Sequence, residues 1–534
     1  MIYCYDQQAL PGAFKCFTVY PLVMHIPADP TVETCHTFHI LCACVLTIPS
    51  RTQTSLSPML LLSVLAAVFG NFQVGYHSGN MNAPQQVIEN FFNTTWQANY
   101  NVSLTTSQMT ILWAVTVSSK DFGGIVGALG VKGLADTFGR RNSILIANAL
   151  SVVSGSLMSL SQLCGSLGLI ITGRLVFGLF CGLCMSLIPL YIQEVSPTAL
   201  RGAFTIMSHV SFSLGILVGM VMSLEEVLGN AQFWPLMLSL SVIPAVLQYL
   251  TLPFCPESPR YLLINRGQEE EAEAALRKLW GNSWDILTEI NEMREEASQT
   301  QSKVTLRDFL SLRRYLNPIS IIVAITLGAQ LSGFNAILNY STDIFTKAGF
   351  SQSQFLTLGT GVINVLFTVV SVLLVERVGR RKLLLTGFMV GALCNILLTV
   401  SEATMRCIPG MSYLQVLLVF SSISAYELGP GPISWFIAAE LFDQSARPFG
   451  MAFTCMLNWG GKFLCSLLYP PLLNLMGAYV YLIFTAALCC AFTFTFFQLP
   501  ETKGRTFDEI ASEFRQANRV VLLKELQKDF RTFN

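Results

Sequence analysis

Charge is scarce in this chain. Only 12% of its 534 residues are Asp, Glu, Lys or Arg, about half the share typical of soluble globular proteins. Lys+Arg and Asp+Glu number 32 each. With no basic surplus to neutralise phosphates, a nucleic-acid binder is excluded. There are five histidines, and no His, Cys, Asp or Glu grouping has metal-ligand spacing, so no metal or cofactor is expected. The 15 cysteines are scattered, mostly inside apolar runs, as at Cys181, Cys184, Cys489 and Cys490. No disulfide framework is legible. Nucleophile–base constellations and phosphate loops are also missing, which speaks against an enzyme.

What the chain has in abundance is apolar residues, at 52%. Twelve membrane helices of about 22 residues would occupy about 264 positions, which this composition can supply. Apolar runs long enough to cross a bilayer lie at 58–79, 109–131, 143–163, 167–190, 204–224, 233–255, 317–340, 355–375, 382–402, 413–435, 449–472 and 477–499. The expected fold is an all-α polytopic membrane protein, with the lipid bilayer as its solvent.

Basic residues set the sidedness. The 131–143 connection carries Lys132, Arg140 and Arg141, and the 375–382 connection carries Arg377, Arg380, Arg381 and Lys382. The opposite connections hold only Lys347 and Arg406. The basic loops and both termini are therefore predicted to be cytosolic. The 79–109 loop then faces out, with glycosylation sequons at Asn93 and Asn101. A third match, at Asn339, falls within a span and is not read as an acceptor. Residues 1–55 contain no full span and no clean signal peptide, and are read as an unassigned cytosolic extension. Residues 256–316 form a charged cytosolic linker, with short helices expected near 268–278 and 286–297. It separates bundles at 56–255 and 317–499, and a cytosolic tail follows from 500 to 534.

Three motifs occur twice. Gly139-Arg140-Arg141 returns as Gly379-Arg380-Arg381, Glu194…Arg201 as Glu440…Arg447, and Pro256-Glu257-Ser258 as Pro500-Glu501-Thr502. Their common order and near-equal offsets imply two six-helix pseudo-repeats. Positive-inside anchoring would explain the arginines alone. The recurring glutamates point instead to Glu–Arg latches at cytosolic helix ends, paired when that face is shut and parted when it opens.

These motifs, together with Pro256-Glu257-Ser258-Pro259-Arg260, Gln330-Leu331-Ser332-Gly333-Phe334-Asn335, Gly429-Pro430-Gly431-Pro432 and Pro500-Glu501-Thr502-Lys503-Gly504-Arg505, resemble the sugar porter family of the major facilitator superfamily. Within it the chain is most similar to the animal facilitative glucose transporters, from about 58 to about 517. The resemblance implies a hexose uniporter working by alternating access. It places sugar contacts at Gln330, Asn335, Asn364, Glu427 and Trp435. The chemistry agrees. Each sugar hydroxyl loses water on binding, and an unpaired one costs about 1–3 kcal/mol. Neutral amides, a carboxylate and a flat apolar ring are the partners required. Asn458 is a further polar residue in an apolar span. Gly429-Pro430-Gly431-Pro432 must bend or break its helix beside Trp435, either as a hinge or as a static kink.

The chain departs from the family pattern at His209, where a glutamine is usual, and at Ala329, where the family has a second glutamine beside Gln330. Thr326-Leu327-Gly328 replaces a Gln-Leu-Ser triplet, and Lys462 replaces an asparagine one turn after Asn458. Lys462 could change specificity toward an anionic or differently hydroxylated solute, or pair with a carboxylate. Lys120-Asp121 is another unusual intramembrane pair. His77 stands where proton-coupled relatives tend to carry an aspartate, leaving a coupled carrier open beside an ordinary polar histidine. The residues are also compatible with a carrier of fructose, urate or another solute, and with a sensor that binds sugar without moving it.

Overall fold

The computed structural model describes residues 57–281, 286–299, 305–405, 407–442, 446–503, 505 and 510. The extension 1–55, most of the tail past 503 and the Arg201 side chain lie outside the described residues. What is described is helical, with no strand among the described residues. The first part contains α1 (Pro58–Gly79), α2 (Gln85–Tyr100), α3 (Thr106–Phe138), α4 (Arg140–Leu163), α5 (Leu167–Val195), α6 (Thr198–Met222), α7 (Trp234–Ser239) and α8 (Val242–Thr251). Then come α9 (Glu269–Trp280), α10 (Ile286–Gln299) and α11 (Leu306–Ser311). The remainder is α12 (Arg313–Gln330), α13 (Phe334–Lys347), α14 (Ser353–Val378), α15 (Arg380–Thr404), α16 (Met411–Leu428), α17 (Pro430–Leu441), α18 (Arg447–Met476) and α19 (Val480–Gln498).

Each apolar run of the sequence coincides with one helix or one interrupted pair. Among the described residues, nine stretches are long and apolar enough to cross a membrane, and one of them, Arg447–Gln498, contains both α18 and α19. The two runs outside that set are α3, which carries Lys120, Asp121 and Lys132, and α6, whose apolar part is Met207–Met222.

Small residues let the first helices touch backbone to backbone. Gly123 and Gly127 of α3 face Gly178 and Gly182 of α5, while Gly75 and Gly79 of α1 face α6 at Gly215 and Gly219. A Cβ at any of these positions would run into the neighbouring main chain. Without a hydrophobic drive between helices in lipid, this close contact supplies the packing energy.

The linker is more than a tether. α9 is polar on one side and buries Ala272, Leu276, Leu279 and Trp280 on the other. The Trp280 indole N–H donates to the Val195 carbonyl at 2.9 Å, tying α9 to the end of α5.

Contacts also run between the earlier and later helices. α3 packs on α18, and α6 on α14. Asn82 donates to the Leu338 carbonyl at 2.8 Å and to Ser341 Oγ at 2.6 Å, and accepts from the Thr342 N–H at 3.1 Å. At the end bearing the Gly-Arg-Arg turns, Lys132 Nζ lies 5.0 Å from the Phe449 ring centroid.

Candidate functional site: a central cavity and two ion-paired helix ends

Two helix interruptions shape the centre. The run over 317–340 is not one helix: α12 stops at Gln330 and α13 starts at Phe334, with Gly333 at φ 88°. That backbone region favours glycine, and a Cβ there would also press on the Phe484 ring at 2.7 Å. Gly429 separates α16 from α17, where Pro430 opens the second piece.

Between these breaks and the earlier helices lies a cavity of about 480 Å³, its open mouth included. The earlier helices give it Ser78, Lys120, Asp121, His209, Phe212 and Ile216, and the later ones Phe334, Asn335, Asn339, Tyr426, Glu427, Trp435 and Lys462, among others. Phe334 and Tyr426 stack with centroids 3.7 Å apart and planes 6° apart. Trp435 meets Trp459 edge-on at 6.2 Å.

The site residues named from the sequence fall into two layers. His209, Asn335, Glu427 and Trp435 line the cavity. Gln330, Asn364 and Asn458 are fully buried and hold those residues in place. Gln330 donates to Asn458 Oδ1 at 2.6 Å and accepts from Asn335 Nδ2 at 2.8 Å. Asn458 Nδ2 reaches the Ser434 carbonyl at 3.3 Å, next to Trp435. Asn364 Nδ2 donates to Glu427 Oε1 at 2.8 Å, and the Thr368 hydroxyl to Oε2 at 3.1 Å. His209 Nε2 stands 3.8 Å from the same carboxylate. Ala329 is fully buried in an apolar cluster. His77 is buried against Phe177, ring centroids 3.8 Å apart, with Nε2 2.9 Å from Ser241 Oγ.

Sequence reasoning missed Ser78, Asn339, Phe334 and Tyr426 as cavity residues. For Asn339 a signal existed, since it lies one helical turn from Asn335 on the same face. It donates to Ser466 Oγ at 3.2 Å.

The duplicated motifs build matching arrangements. Arg140 Nη2 donates to Glu194 Oε1 at 3.0 Å, and Arg380 Nε donates to Glu440 Oε1 at 3.0 Å. Hydroxyls of Ser258 and Thr502 donate to the same two glutamates. Glu257 accepts from the backbone N–H groups of Arg140 and Arg141 at 2.8 and 2.9 Å, and Glu501 from that of Arg380 at 2.9 Å. Each carboxylate thus sits on a helix N-terminus, where orphan donors and the helix dipole favour negative charge. Gly139 and Gly379, at φ 89° and 97°, make this possible; a Cβ at either would lie 2.6 Å from the carboxylate. Arg141 and Arg381 donate to the carbonyls of Cys255 and Phe496 at 2.9 and 2.7 Å. Arg447 is exposed at the start of α18.

The profile of the "Sugar (and other) transporter" family matches residues 63–514. The chain is 44% identical over 460 residues to facilitated glucose transporter member 3 of solute carrier family 2 from Homo sapiens, covering 86% of this chain and 92% of that one. It is 43% identical over 465 residues to member 1 from Gallus gallus, covering 87% and 95%. Its fold matches the proton:xylose symporter XylE bound to 6-bromo-6-deoxy-D-glucose, with a TM-score of 0.70 and 25% identity over 85% of this chain and 99% of that one. The partially occluded inward-open xylose transporter XylE from E. coli matches with the same TM-score at 24% identity, covering 84% of this chain and all of that one. A multi-pass helical membrane protein of the major facilitator fold, with its polar network drawn around one central cavity, this chain belongs to the sugar transporter family and is not an enzyme.

Proposed function

We propose that the protein is a facilitative hexose uniporter, with D-glucose as its solute, working by alternating access. The observation that carries this reading is the pairing of a flat indole, Trp435, with an amide relay through Asn335, Gln330 and Asn458 on one side of the cavity. Such a wall offers hydrogen bonds to desolvated hydroxyls and an apolar face to a pyranose ring. His209, Glu427 and Asn364 extend the polar wall, and Ala329 packs behind it in place of an amide. The relatives named as facilitated glucose transporters support the choice of hexose.

The chain is organised as two six-helix bundles joined by the 256–316 linker, and these rock about the cavity. The Arg140–Glu194 and Arg380–Glu440 pairs latch the cytosolic end, with Arg141, Arg381, Arg201 and Arg447 as its further basic groups. Both termini are cytosolic and the membrane is the plasma membrane. The 79–109 loop faces out and carries the glycan acceptors Asn93 and Asn101; Asn101 is exposed in a left-handed turn at φ 54°.

The test is counterflow of labelled D-glucose in proteoliposomes holding the full chain. Uptake indifferent to a pH gradient is expected. Uptake that follows the gradient would make it a symporter, the second reading raised by the XylE likeness and by His77. Binding without counterflow would make it a sensor.

A further inference from the structure

The cavity also carries a charge arrangement that a neutral sugar leaves unused. The Lys462 ammonium stands 5.3 Å from the Trp459 ring centroid, 5.6 Å from that of Phe212 and 5.8 Å from that of Trp435. Among the described residues it has no hydrogen bond and no carboxylate within 4.0 Å. Lys120 Nζ donates to Ser78 Oγ at 2.9 Å. Arg174, buried just behind, donates to the carbonyls of Thr116 and Val117 at 2.8 and 3.2 Å. Asp121 follows Lys120 in α3 and shares the cavity lining with Lys120 and Lys462. Its carboxylate accepts from Ser466 Oγ at 3.0 Å. The other carboxylate of the wall, Glu427, is held by Asn364 and Thr368 on the side of His209.

Lys462 and Lys120 line the cavity with Asp121 and Glu427, and Arg174, buried behind them, leaves the cluster with one surplus positive charge. Aromatic faces attract an ammonium but bring no net charge. A surplus charge removed from water is costly until an anion joins it. We propose that this surplus binds the carboxylate of a monoanionic sugar acid of the hexuronate class, and that Lys462 determines that specificity. The carboxylate rests between Lys462 and Lys120, the ring lies on Trp435, and the hydroxyls meet Asn335 and Glu427. A surplus of one charge selects a monoanion; a sugar phosphate, close to a dianion, overshoots it. The proposal rests on the reading of this cavity as the site of the transported solute.

The experiment uses the full chain in proteoliposomes under a valinomycin-clamped potential, with labelled D-glucuronate and labelled D-glucose followed separately. Saturable glucuronate uptake is expected. An inside-positive potential of about 59 mV should accumulate it about tenfold, while glucose accumulation stays at unity. Lys462→Met should lower the glucuronate-to-glucose ratio of kcat/KM at least about tenfold, a change of about 1.4 kcal/mol. Lys462→Arg should restore most of it. Should the methionine variant fail to fold, the potential dependence of the wild type still decides. Glucose uptake with no saturable glucuronate uptake overturns the proposal and leaves the hexose reading standing. Glucuronate uptake without glucose uptake overturns the hexose reading instead, and no uptake of either overturns both. Glucuronate uptake that ignores the potential, or whose ratio to glucose uptake is unmoved by Lys462→Met, also overturns the proposal.

Discussion

Arg140 grips Glu194 from two directions, with Nη2 at 3.0 Å from Oε1 and Nε at 2.8 Å from Oε2. Both side chains are nearly out of solvent, at 12% and 10% exposure, so removing one partner strands a desolvated charge and costs more than losing a surface bridge. Glu194→Gln keeps the shape but removes the counter-charge. We expect a lower melting temperature in detergent, with a loss of at least about 1 kcal/mol, and slower glucose counterflow. The exchange Arg140→Glu with Glu194→Arg should recover part of both. Unchanged melting and transport in Glu194→Gln would remove the latch from the cycle.

Trp435 lends the cavity its broad apolar face and forms one of three walls around Lys462. Trp435→Ala should cost at least about tenfold in kcat/KM for glucose, about 1.4 kcal/mol, while the protein still reaches the membrane in normal amount. Initial-rate uptake alongside surface labelling checks this. Full activity would place the sugar elsewhere.

Gly124 of α3 lets α18 come close. A Cβ there would sit 2.5 Å from an indole carbon of Trp459. Gly124→Val should hold the two helices apart and cut counterflow at least about tenfold, with the detergent-extracted protein still monodisperse on size exclusion. Normal counterflow would show that this approach plays no part in transport.

Burial raises the Glu89 carboxyl above its usual range; the Gln85 hydrogen bond and Lys347 oppose this, and Asp343 adds to it. The fold therefore favours the protonated form. The stability this gives is present below the unfolded pKa and lost as pH rises through the folded one. Glu89→Gln cannot ionise and should melt higher than wild type near about pH 8, with the gap closing near about pH 4. No gap near about pH 8 would mean that the charged form is well accommodated.

The membrane crossings were legible because an apolar run bounded by charge has few other folds open to it in lipid. The break before Gly333 was not. Leu331 and Ser332 are ordinary helix residues, and only the positive φ of one glycine marks the interruption. The polar set in the later spans could be read from its cost in hydrocarbon. Its division into a lining and a support layer could not, because Gln330, Asn364 and Asn458 look the same in sequence as Asn335. The duplicated spacing marked Glu194 and Glu440 as functional, but spacing along one helix end says nothing about which arginine of another helix meets them. Ser78 carried no signal at all, being one of three hydroxyls in α1 with nothing in the sequence to set it apart from Ser63 and Tyr76.

The lapse between α12 and α13 has a mechanical outcome. Across Leu331–Gly333 no regular ladder of backbone bonds passes force from one piece to the other, so α13 is a lever hinged on α12 at the bonds from Asn335 to Gln330. One end of that lever holds Asn335 at the cavity, and further along Asn82 is clipped to Leu338, Ser341 and Thr342. The cavity residue Asn335 and the Asn82 clip to the earlier helices therefore ride on one short rigid piece, so a pull on either is carried to the other along α13.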